Sequence, residues 1–135
     1  MVYFDTNVLI YAFVKNIDDE QQRELSISLV EEAIENDTLI LSELILCEFA
    51  FISAKLNEEQ STVDENLEFL STFLQPTHFN ISQRMLEILK ESRVYKSSFD
   101  VFHLAFSEYY NAKFITFDKG FKKLHNSVTI EIDIQ

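Results

Sequence analysis

Short apolar runs alternate with long amphipathic stretches along this chain, and those stretches are too long to be hairpin loops. VYF (2–4), TLIL (38–41) and KFITF (113–117) have strand length, HFNI (78–81) is a candidate short strand, and SVTIEI (127–132) reads as a last, edge-like one. Helical patterns fill the intervals. Asp5-Thr6-Asn7 are capping residues ahead of Val8, Leu9, Tyr11, Ala12 and Phe13. Residues 18–36 align Leu25, Ile27, Leu29, Val30, Ala33 and Ile34 beneath an acidic outer face. Ser42 is placed to cap the helix carrying Glu48. Residues 58–74 set Val63, Leu67, Leu70 and Leu74 in one stripe that Pro76 stops. Ser82 caps a helix to about Val94, Ser97 and Ser98 open another through DVFHLAFSEYY, and DKGF reads as a turn. Strands alternating with helices imply a mostly parallel sheet covered on both faces, a three-layer α/β architecture. One Gly and one Pro argue against a sandwich or barrel with many tight turns. The 135 residues, 1–135, are expected to form a single domain whose core needs no disulfide or structural metal.

One carboxylate sits badly in this pattern. LILCEFAFI (44–52) holds Glu48 among eight apolar residues, and its helical neighbours Leu44, Ile45, Phe51 and Ile52 offer no ion pair. Burying an ionised carboxylate without a partner is costly, so one must come from elsewhere in the fold.

Three further acids stand where ligands bind in open parallel sheets, beyond the carboxyl ends of the strands. Asp5 directly follows the first strand, Asp118 follows KFITF, and Asp100 lies in the first turn of the helix before KFITF. Taken singly, Asp5 reads equally as a helix cap, Asp100 as half of a variant capping box with Ser97, and Asp118 as a turn residue. Glu48 fits neither a cap nor a turn, and its one plain alternative is a helix face that reaches solvent. Like charges cannot all stay ionised in a partly dry crevice without a cation, and an all-oxygen donor set favours Mg²⁺ or Mn²⁺. The four are the candidate metal ligands and catalytic groups.

DTNVLIYA (5–12), SELILCEF (42–49) and SSFDVFHLAFSEYYNAKFITFDKGF (97–121) resemble the PIN-domain ribonucleases, especially the toxin members of bacterial VapBC-type toxin–antitoxin pairs. The resemblance covers the whole chain in order. It implies a five-stranded parallel sheet with the first strand central, acidic metal-binding residues at Asp5, Glu48, Asp100 and Asp118, and supporting polar positions at Asn7, Ser42 and Thr116. It also implies an RNA substrate, a homodimer and a small antitoxin partner that folds over the acidic pocket. Asn111-Ala112 replaces a glycine often seen before the fourth strand.

Charge divides along the chain. The net charge is −12, which disfavours nonspecific nucleic-acid binding by the whole surface. Residues 1–83 carry 3 basic and 16 acidic groups, whereas 84–123 carry 8 basic and 5 acidic. Arg93 and Lys96 precede Asp100, and Lys119, Lys122 and Lys123 follow Asp118; these are the expected phosphate contacts. Tyr109, Tyr110 and the phenylalanines offer rings on which bases could stack, but at helical spacing they read as core. His103 is read as a packing residue, and no histidine has a Cys or His partner at zinc spacing. The single Cys47, the absence of a signal-peptide pattern and of any ~20-residue apolar run lead us to expect a soluble, cytoplasmic protein that does not enter the membrane.

Two rivals are weaker. A phosphoacceptor signalling domain resembles its relatives in an acidic pair after strand one and a lysine after the last strand; Asp5 stands alone, and VTIEIDIQ has no lysine. A nuclease-like fold serving only as a catalytically silent interaction module remains the alternative.

Overall fold

The computed structural model describes residues 1–92 and 98–135. Strand β1 (Val2–Phe4) leads into α1 (Thr6–Phe13), followed by α2 (Glu20–Glu35), α3 (Glu43–Lys55), α4 (Gln60–Ser71), α5 (Phe79–Ser92) and α6 (Ser98–Tyr109). Strand β2 (Lys113–Thr116), a 3-10 helix (Lys119–Ser127) and β3 (Ile132–Ile134) complete the chain.

The three strands form a parallel sheet in the order β1-β2-β3. Among the described residues that is fewer than the five expected. TLIL supplies no ladder; Leu39 and Leu41 instead make isolated parallel bridges, to Val2 and to Leu74. Their hydrogen bonds, Ile40 N–H to Val2 O and Leu41 N–H to Phe73 O, each 3.0 Å, carry the parallel row past β1. Counting those two bridged segments, β1 stands in the middle. HFNI is not a strand: its last three residues open α5, because Ile81 and Ile88 bury on one face of that helix while Phe79 lies 74% exposed. SVTIEI pairs only from Ile132 onward, since the 3-10 helix runs through Ser127 where a turn of four residues was expected.

Successive side chains of a strand point to opposite faces. Tyr3, Phe4, Phe114, Ile115 and Thr116 are all buried, so both faces of the sheet are covered. Tyr3 and Phe114 are partners in register, and their face packs on Phe106 of α6 and Phe121 of the 3-10 helix. The helices contact one another in two groups, α1 to α4 in one, and α5, α6 and the 3-10 helix in the other. Arg84 ties the second group together, its guanidinium bonding Glu108 of α6 and the carbonyl of Ser127.

Helix ends normally call on glycine for the left-handed residue that closes them. The single glycine of this chain is not used so. Asp37, Asn57 and Asn111 take φ values of 54°, 57° and 51° after α2, α3 and α6, the residue types that tolerate that region best without being glycine. Each closure is complete: Thr38 N–H reaches Ala33 O, Glu58 reaches Ser53 and Ala112 reaches Ser107. Asn111-Ala112 therefore does the turn that a glycine would do. No helix among the described residues is long and apolar enough to cross a membrane.

Candidate active site

Asp5 is where the sheet hands over to α1. It is the N-cap of that helix, with Oδ1 accepting the Thr6 N–H at 2.8 Å. Its other oxygen accepts the hydroxyl of Thr116 at 2.7 Å, from the tip of the neighbouring strand β2. Only 9% of Asp5 is exposed, and this burial, above all, raises its carboxyl above the ordinary aspartate value. The bonds from Thr116 and Thr6 and the proximity of His103 pull the other way, while Asp100 pushes in the same direction as burial. Asp5 and Asp100 thus feel each other electrostatically although 95 positions separate them in sequence.

Asp118 is an exposed residue that caps the 3-10 helix, Oδ1 accepting from Gly120 N–H at 2.7 Å, and its own N–H donates to Thr116 Oγ1 at 3.0 Å. The turn role and the strand-tip position are both present. Asp100 lies half-buried in the first turn of α6.

Glu48 has a partner, and it is a side chain that sequence reasoning left to packing. His103 of α6 is fully buried, and its Nε2 lies 2.5 Å from Glu48 Oε1. Its Nδ1 lies 2.7 Å from the hydroxyl of Tyr3, which is 2.7 Å from Ser42 Oγ; that oxygen accepts the Ile45 N–H as the cap of α3. Tyr3 was missed altogether. Its phenol is pushed well above the usual tyrosine value, chiefly by burial, and also by the nearby Glu48 and Asp5. The signal available in sequence was weak: a polar side chain at His103 and a hydroxyl at Tyr3, each inside an apolar run, are affordable in a core only when bonded.

The supporting positions divide. Ser42 and Thr116 are buried and bonded as described, whereas Asn7 is exposed in the first turn of α1. Lys119, Lys122 and Lys123 are exposed along the 3-10 helix just beyond Asp118. Arg93 and Lys96, and the helix-opening Ser97, lie outside the described residues.

Among the described residues no three acidic, histidine or cysteine groups stand together as a ready cage for a metal ion. The donor chemistry nevertheless fits one. A carboxylate buried beside a second carboxylate carries two costs that a cation relieves together, and His103 holds only Oε1 of Glu48, leaving Oε2 for another partner. Mg²⁺ in particular is commonly held by one or two carboxylates while keeping several of its waters.

A family model described as the PIN domain matches residues 2–126. In overall shape the chain is similar to one in the crystal structure of VapBC2 from Rickettsia felis bound to a DNA fragment from their promoter. The TM-score is 0.72 with 20% sequence identity, and the match covers 100% of both chains. At that identity the likeness concerns the fold. No curated protein matches the chain.

Proposed function

The chain belongs to the PIN-domain family, and from that premise we propose that it is a divalent-metal-dependent endoribonuclease, the toxin of a type II toxin–antitoxin pair. The observation that carries the proposal is Asp5, a carboxylate kept almost wholly buried at a strand tip and oriented through both oxygens, with Asp100 adding a smaller electrostatic push. A carboxyl in that position is no ordinary surface cap, because a cap needs no burial and no second acid.

Asp5, Glu48, Asp100 and Asp118 are the residues that would hold Mg²⁺ or Mn²⁺. Bound there, the ion supplies an activated water for attack on a phosphodiester and neutralises charge on the leaving oxygen. Thr116 bonds Asp5 and Ser42 caps the helix of Glu48, and Asn7, exposed two residues after Asp5, would hold water or substrate. Lys119, Lys122 and Lys123, with Arg93 and Lys96, would contact phosphates and position the strand without reading its sequence. A dense acidic pocket also suits a partner that inserts a basic side chain, which is how a cognate antitoxin would silence it. The working form in this reading is a cytoplasmic homodimer of single domains.

The test is incubation of the wild type with a structured RNA pool in Mg²⁺, Mn²⁺ or chelator, with the cut ends mapped, beside Asp5→Asn and Asp100→Asn. Cleavage that needs the ion and disappears in both variants, whose circular dichroism stays native, is the expected result. Undiminished cleavage in either variant contradicts the assignment. A wild type that neither cuts RNA nor takes up Mn²⁺ would leave the silent interaction module.

A further inference from the structure

We infer that His103 is a positioning residue for Glu48, aimed by a one-way chain of hydrogen bonds that begins at a backbone amide of α3 and returns to the carboxylate of the same helix. The inference rests on the reading of Glu48 as a cation ligand. The direction of the chain follows, for a neutral imidazole, from its last member. The Glu48 carboxylate can only accept, so the ring carries its proton on Nε2 and donates it to Oε1 at 2.5 Å. Nδ1, left without a proton, accepts the Tyr3 hydroxyl at 2.7 Å. The Tyr3 oxygen then accepts the Ser42 hydroxyl at 2.7 Å, and Ser42 Oγ accepts the Ile45 N–H at 3.1 Å.

The anchoring is rigid. Ser42, Tyr3 and His103 are all fully buried, on the cap of α3, on β1 and on α6, while the Glu48 side chain keeps 25% exposure. The chain therefore leaves α3 at its first turn, crosses β1 and α6, and closes on α3 again at Glu48. A glutamate on a helix otherwise samples many rotamers, and that freedom must be surrendered when it binds an ion. Here it is given up on folding: Oε1 is held, and Oε2 is presented in one direction. Outer partners that orient metal ligands in this way typically govern affinity about ten- to a hundredfold.

The test uses the whole chain at neutral pH. In the ion-free wild type, nitrogen-15 NMR of the histidine rings should show His103 as the Nε2–H tautomer; an Nδ1–H tautomer or an imidazolium would overturn the inference. Mn²⁺ titration calorimetry then compares His103→Ala, His103→Gln and Tyr3→Phe with wild type. Loss of affinity by about tenfold or more is expected in His103→Ala, substantial recovery in His103→Gln, whose amide can donate to Oε1, and an intermediate loss in Tyr3→Phe. Affinities within twofold of wild type in folded His103→Gln, His103→Ala and Tyr3→Phe alike would sink the positioning role. Should His103→Ala fail to fold, the other two variants and the tautomer decide. Should the wild type itself take up no Mn²⁺, the cation reading of the site fails, and the tautomer alone decides whether the chain of bonds exists.

Discussion

The hydroxyl of Thr116 donates to Asp5 Oδ2 at 2.7 Å, joining residues 111 positions apart in the chain. The same hydroxyl oxygen accepts the Asp118 N–H at 3.0 Å. One buried side chain thereby orients an acid on each of two neighbouring strand tips, and this is why a threonine ends β2.

Thr116→Val keeps the shape and removes the donor. Asp5 would lose a hydrogen bond to its charged form inside a buried site, and the Asp118 N–H would lose its acceptor. We expect a loss of about 1–3 kcal/mol in urea unfolding, with Thr116→Ser close to wild type. An unchanged unfolding midpoint in Thr116→Val would show that the bond matters little.

The pH dependence of stability carries the mark of Asp5. Its native carboxyl is raised, chiefly by burial, so the folded chain binds that proton more tightly than the unfolded chain does. Stability must then fall as pH rises from the ordinary aspartate range, about 4, through the raised native value, and the deficit stays constant above it. Asp5→Asn removes this dependence. With chelator present, the melting temperature of the variant minus that of wild type should therefore increase from about pH 4 to about pH 7. A difference that shrinks over that interval contradicts the assignment of burial as the dominant cause.

Phe114 in β2 is fully buried between Tyr3 and Phe121, with ring centroids 6.0 and 5.0 Å away. Phe114→Ala should cost about 3–5 kcal/mol. Because Phe121 seats the 3-10 helix, amide exchange in residues 119–127 should accelerate more than in α4, which packs on α3. Uniform acceleration across both elements would count against a local anchoring role.

Arg84 bonds Glu108 through two nitrogens, one at 2.5 Å, and the Ser127 carbonyl at 2.9 Å. Its side chain is a quarter exposed, so solvent screening limits what the ion pair contributes. Arg84→Met should destabilise by about 1–2 kcal/mol, mostly by leaving the Glu108 carboxylate, itself only 15% exposed, with the Thr129 N–H but no opposite charge. Arg84→Met together with Glu108→Gln should recover part of that loss in a double-mutant cycle; strict additivity would refute the coupling.

Local chemistry was enough for much of the architecture. Asp5 and Ser42 are helix caps as their residue types suggest, Val63 and Leu70 face inward at helical spacing, and the alternation of elements yields a parallel α/β sheet. Each of these depends on neighbours within about four residues, which is the range over which capping and periodicity act. HFNI shows where that range fails, because four apolar-leaning residues fit a strand or the start of a helix equally well. What settled it was Ile81 burying on the same face as Ile88.

The amino-acid sequence by itself thus determined most of the helices, the strands β1 and β2, and the placement of Asp5 and Asp118 just beyond them. Only the tertiary structure decided who faces whom. Glu48 meets a histidine 55 positions away, that histidine meets a tyrosine 100 positions away, and Asp5 meets Thr116 across the sheet. Those pairings arise from burial, which makes an enclosed polar group without a partner costly and so favours one wherever the chain happens to bring it to hydrogen-bond distance, and no local period encodes that choice.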